Sequence, residues 1–215
     1  MNILIKNVSK EFKKNLILKN INMNLEAGNI YGFAGGNGSG KSLLMKLICG
    51  LYAPTTGEIL FDNQKIDINS SYPPVSALIE RPAFFGNLTG YQNLELLANI
   101  KKEIGKEEIL KALKIVNLVE YDKKYEVYSL GMKQKLGIAQ AIMEDTPIVI
   151  LDEPFNGIED NTVIQIKNHL KELKKLNKII IISSHIGIDL QELCDKIYYF
   201  DNGEVSLKWI LKKDL

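Results

Sequence analysis

The chain has 215 residues, 46% apolar and 25% charged, enough to bury one large core and too apolar for a disordered or fibrous polypeptide. Its 27 basic and 26 acidic residues leave a net charge of +1, without the basic face expected of a nucleic-acid binder. No stretch approaches the ~20 apolar residues of a membrane helix, and the start, with Lys6, Ser9, Lys10 and Glu11, does not read as a secretory leader.

Residues 3–8 and 21–25 alternate apolar and polar, the pattern of half-exposed strands. Ile30–Ala34 is an apolar strand candidate; after eight residues rich in glycine, a helix follows with Leu43, Leu44, Leu47, Ile48 and Leu51 on one face. Cys49 falls in that helical stretch and reads as a buried structural thiol. Neither it nor Cys194 belongs to a metal or redox spacing, which suits a reducing compartment. GEILFDNQKI, residues 57–66, predicts a hairpin turning at Asp62-Asn63-Gln64. From about 89 to 144 the pattern is mostly helical, with Thr89 as N-cap before Gly90–Ile100. Pro147–Asp152 and Lys178–Ser183 are short, apolar and rich in Ile and Val, as strands buried on both faces of a parallel sheet are. Between them Val163, Ile166, Leu170 and Leu173 mark one face of a crossover helix. The fold class is therefore α/β, with an antiparallel sheet from the N-terminal third and a helical insertion.

Three segments carry chemistry. GGNGSGKS, with Gly35, Gly36, Asn37, Gly38, Ser39, Gly40, Lys41 and Ser42, is the G-x-x-x-x-G-K-S/T phosphate loop between a strand and a helix. Its glycines let successive N–H groups face phosphate oxygens, Lys41 can reach the β- and γ-phosphates, and the Ser42 hydroxyl can ligate Mg²⁺. PIVILDEP, residues 147–154, ends an apolar strand in two carboxylates, bringing Asp152 (for Mg²⁺) and Glu153 (to polarise the attacking water) to the edge of the sheet. YSLGMKQKLGIAQA, residues 128–141, reads locally as an N-capped amphipathic helix.

That third segment resembles the signature motif of ABC-type ATPases, usually LSGGQ followed by a helix. Ser129 and Gly131 match; Tyr128, Leu130 and Met132 depart. The resemblance implies a P-loop NTPase (RecA-like) core, formed by residues 1–87 and 145–215 with the β subdomain, and a helical subdomain at 88–144. It implies binding of ATP and Mg²⁺ by a head-to-tail homodimer, with Ser129 and Gly131 serving the nucleotide of the opposite subunit. His185, in IIISSHIG, matches the switch histidine, and NGIED, Asn156–Asp160, lies where the family has its D-loop, with Glu159 replacing the usual Asp. Phe12, 23 residues before Gly35, matches the aromatic that stacks on adenine, with Ile17 beside it. Leu43 stands where many relatives have a second hydroxyl, leaving its backbone N–H for the α-phosphate.

In SALIERPAFFGNLT, Glu80 occupies the place of the family's Gln, where it could coordinate Mg²⁺. With YSLGMKQ, this variant looks like the ATP-binding subunits of bacitracin- and lantibiotic-type peptide exporters. The implied protein is a transport ATPase that drives a separate transmembrane permease from the inner, cytoplasmic face of the plasma membrane. The alternatives are an ABC ATPase that remodels nucleic acid or ribosomes, and a regulatory ATPase acting on a membrane partner. The first lacks its usual coiled-coil insertion or tandem cassette here; the second has no distinguishing sequence feature.

Overall fold

The computed structural model describes residues 1–66, 71–101, 104–185 and 190–209. The end of the 145–215 assignment (210–215) and Ile186-Gly187 of the histidine motif lie outside the described residues. Among the described residues the strands form two sheets. Strands β1 (Asn2–Phe12), β2 (Asn15–Glu26), β4 (Thr56–Phe61) and β5 (Gln64–Lys65) form an antiparallel sheet in the order β2-β1-β4-β5. The larger sheet runs β10-β9-β3-β8-β7-β6, from β3 (Asn29–Ala34), β6 (Val75–Leu78), β7 (Ile148–Leu151), β8 (Ile179–Ser184), β9 (Lys196–Asp201) and β10 (Glu204–Trp209). β6, β7, β8, β3 and β9 are parallel, and β10 closes one edge antiparallel to β9.

The parallel strands divide their side chains between two cores, as a period of two requires. Ile180 and Ile182 of β8, with Val149 and Leu151 of β7, face the core shared with the helical insertion. Ile179, Ile181, Ile148 and Ile150 face the core shared with the antiparallel sheet and the helix after the phosphate loop. That helix, α1 (Lys41–Ile48), ends earlier than the apolar pattern suggested. Leu51 lies beyond it and is 61% exposed, while Met45 is buried within the helix. Cys49 is half-buried at the helix end rather than deep in the core, and burial pushes its thiol up to about 12.

The insertion contains α2 (Gly90–Lys101), α3 (Lys106–Ile115) and α4 (Leu130–Ile142), with a short 3-10 turn at Tyr125–Val127. Thr89 caps α2 as expected: its Oγ1 accepts from the Gln92 N–H at 3.1 Å, and Gln92 Oε1 accepts from the Thr89 N–H at 2.9 Å. Leu94, Ala98, Leu113 and Leu136 join Val149 and Ile180 in one apolar cluster, so the insertion and the sheet share a core. On the crossover helix α5 (Asp160–Lys175), Ile166, Leu170 and Leu173 are buried, but Thr162 takes the place expected of Val163, which is half-buried.

Candidate nucleotide site

Four strands deliver their carboxyl ends to one edge of the sheet. β3 leads into Gly35–Gly40, β6 into Glu80, β7 into Asp152 and Glu153, and β8 into His185. A cavity of about 420 Å³ opens there, lined by Phe12, Ile17, every residue from Asn37 to Leu43, Lys46, Tyr52, Glu80, Asp152 and Glu153.

The loop's shape depends on Gly40, at φ +108, where a Cβ would stand 2.6 Å from Leu18 Cδ2. Lys41 starts α1 and folds back, its buried ammonium donating to the carbonyls of Gly35 at 2.7 Å and Gly36 at 3.0 Å. Ser39 Oγ is buried without a hydrogen-bond partner, 2.9 Å from where a Cβ on Gly35 would stand. An ammonium at the first residue of a helix, whose N-terminal N–H groups face the same loop, fits an anionic oxygen.

Asp152 is only 7% exposed, yet both its oxygens are satisfied. Ser42 Oγ donates to Oδ2 at 2.6 Å, and Ser183 Oγ donates to Oδ1. The same Ser183 hydroxyl accepts from the Glu153 N–H at 2.8 Å. That bond secures a residue in the left-handed region, φ +47, a conformation that costs a non-glycine residue about 1 kcal/mol or more. The Glu153 carboxylate points to His185, with Oε2 2.9 Å from Nδ1. Glu80 is also left-handed, at φ +63, and its carboxylate pairs with Lys46, one turn beyond Ser42 on α1. Oxygen donors from Ser42, Asp152 and Glu80 suit Mg²⁺. No group of three or more His, Cys, Asp and Glu able to hold a metal occurs among the described residues, so phosphate and water oxygens would have to complete the shell.

Ser129 and Gly131 do not line this cavity. Ser129 caps α4, its Oγ accepting from the Met132 N–H at 3.2 Å. Gly131 lies so close to the turn after β7 that a Cβ would stand 2.5 Å from the Gly157 carbonyl oxygen. Sequence reasoning assigned no role to Ser183, Lys46, Tyr52, Gln134 or Lys135. Gln134 Nε2 donates to the carbonyls of Glu153 (3.2 Å) and Pro154 (3.3 Å), joining α4 to the segment that carries the carboxylates. Lys135, buried, meets Glu159 Oε2 at 2.7 Å, and this hydrogen bond holds the Glu159 carboxyl below its ordinary range. The one available signal was the hydroxyl pair Ser183-Ser184 ending an otherwise apolar strand. His169 is half-buried on α5, away from this cavity, and burial lowers its pKa.

The pattern of the ABC transporter family matches residues 18–156. The bacitracin transport ATP-binding protein BcrA of Enterococcus faecalis is 39% identical over 216 residues, covering 97% of this chain and 70% of the relative. The lantibiotic transport ATP-binding protein SrtF of Streptococcus pyogenes is 34% identical over 205 residues, covering 95% of this chain and 89% of the relative. Among solved structures, the dimeric post-hydrolysis state of the ATP-binding cassette MJ0796, bound to ADP and Pi, superposes with a TM-score of 0.88. It is 27% identical, with 97% of this chain and 98% of that one covered. A family pattern spanning most of the chain, supported by relatives aligned over nearly all of it, establishes that the chain belongs to the ABC transporter family.

Proposed function

We propose that this chain is the ATP-hydrolysing subunit of a transporter, energising a separate membrane permease that exports a peptide antibiotic or similar amphiphile. The observation that carries the ATPase reading is the convergence of Lys41, Ser42, Asp152 and Glu153 on one cavity, with His185 on the Glu153 carboxylate. The substrate class follows from the likeness to BcrA and SrtF, together with Glu80 at the mouth of the same cavity.

The triphosphate lies over Asn37–Ser42, and Lys41 exchanges its two carbonyl partners for phosphate oxygens. Glu153 takes a proton from the attacking water while His185 holds the carboxylate in place. The new bond forms between that water oxygen and the γ-phosphorus, and the bond to the leaving ADP oxygen breaks with its electron pair. Ser42, Asp152 and Glu80 would hold Mg²⁺, which when bound would supply positive charge against the phosphate oxygens. Ser129 and Gly131, outside this cavity, serve the nucleotide on a second copy, so that the active species is a head-to-tail dimer. No described helix is long and apolar enough to cross a membrane. The chain is held at the inner face of the plasma membrane by its permease.

Glu153→Gln tests this assignment. The variant is expected to bind ATP–Mg²⁺, to hydrolyse it very slowly and to accumulate as a dimer on size-exclusion chromatography, whereas Lys41→Ala loses tight binding. Hydrolysis by Glu153→Gln at the wild-type rate would remove Glu153 from the mechanism.

A further inference from the structure

The cavity has an aromatic end that the phosphate chemistry leaves unused. Phe12 closes β1 and Tyr52 follows α1, yet their rings meet edge to face, with centroids 5.6 Å apart at 80°. Both line the cavity of the phosphate loop, and both remain open to solvent, 41% and 43% exposed. The Lys10 ammonium lies 4.8 Å from the Phe12 centroid and 5.8 Å from that of Tyr52. It also donates to the Ala53 carbonyl at 2.8 Å, tying the end of β1 to the residue next to Tyr52. Lys10 is not among the cavity's lining residues, so the cation braces the pair from outside.

Two partly exposed rings held at right angles by a lysine strut form a preformed corner. Its open walls are apolar and aromatic, and the phosphate loop begins beside it. A planar, polarisable group tethered to a triphosphate is the ligand such a corner fits, since a ring face takes stacking and a ring edge takes the border of a flat ligand. Ordering the corner before the ligand arrives removes part of the entropy cost of binding.

We propose that Tyr52 is a base-binding residue of the nucleotide site, forming with Phe12 a two-walled corner for the nucleobase that Lys10 holds in place. The proposal rests on the reading that a nucleotide occupies the phosphate loop. The corner selects by ring area, so a purine triphosphate gains more from it than a pyrimidine one.

The test measures the affinity of the full chain for ATP, CTP and inorganic triphosphate in four forms: wild type, Tyr52→Ala, Tyr52→Phe and Lys41→Ala. Tyr52→Ala is expected to weaken ATP about three- to tenfold, to weaken CTP less, and to leave triphosphate unchanged. Tyr52→Phe, which keeps the ring, restores ATP binding and the preference for ATP over CTP. Equal weakening of ATP and triphosphate by Tyr52→Ala, or no weakening of ATP, overturns the proposal. If Lys41→Ala meanwhile abolishes binding of both ligands, the phosphate-loop reading survives that failure. ATP binding indifferent to Lys41→Ala overturns both.

Discussion

Replacing Ser183 by alanine isolates one hydroxyl that sequence patterning did not mark. The side chain is fully buried at the end of β8, so alanine keeps the Cβ and removes a single oxygen. That oxygen donates to Asp152 Oδ1 and accepts from the Glu153 N–H. Each buried polar group left without a partner costs about 1–3 kcal/mol. Asp152 keeps the bond from Ser42 through its other oxygen, and Glu153 is only partly buried, which places the total near the lower end, about 2 kcal/mol. For a chain of this size that lowers the melting temperature by about 4–8 °C. The peptide that carries Glu153 also loses its tether in a left-handed conformation, so hydrolysis should fall more than ATP affinity. Thermal unfolding without nucleotide, ATP binding and single-turnover hydrolysis read the three effects separately. A Ser183→Ala protein that melts and hydrolyses like the wild type would show that the hydroxyl neither stabilises nor positions anything.

Gly131→Ala places a methyl group 2.5 Å from the Gly157 carbonyl oxygen, so α4 must move off the turn after β7. Overpacking of this kind costs about 1–3 kcal/mol, and ATP-driven dimerisation should fail while ATP binding by the single chain persists, as chromatography and calorimetry would show. The Lys135–Glu159 pair contributes stability above the ordinary Glu159 pKa of 4.5, because its folded value is lowered; that contribution disappears as pH falls through the folded value. Unfolding measured across pH 3–7 should therefore show a shallower acid-side loss for Glu159→Gln than for the wild type, and identical slopes would rule out the linkage.

The features legible in the sequence are those with a local period or a contiguous motif. β7 and β8 announce themselves because both faces are buried, which replaces alternation with continuous Ile and Val. The phosphate loop and the carboxylate pair are contiguous strings, and their strands bring both to one edge. Ser183, Gln134 and Lys46 act through partners 19–34 residues away, across a strand end, a helix end and an insertion. Such contacts leave no periodicity, since the spacing reflects the chain between the partners and not the contact. Tyr52 was hidden for the same reason, as its ring neighbour Phe12 stands far back in the chain at the end of β1. The misplaced end of α1 has a different origin: Leu51 continues the apolar spacing, but the chain has already turned at Gly50, φ +73, carrying it to the surface.

The folded-back Lys41 changes the thermodynamic meaning of its charge. In the proposed mechanism its ammonium meets the nucleotide already solvated by two carbonyls of its own loop, so binding is an exchange of ligands around one cation and not the capture of a bare charge. The free energy that Lys41 adds to binding is the difference between phosphate and peptide oxygens as acceptors, well below the full Coulomb attraction of an ammonium for a triphosphate. The same exchange releases the carbonyls of Gly35 and Gly36 when a triphosphate arrives and recaptures the lysine when it leaves. The loop thus carries an internal competitor for its ligand, and that competition lowers the net affinity Lys41 can add.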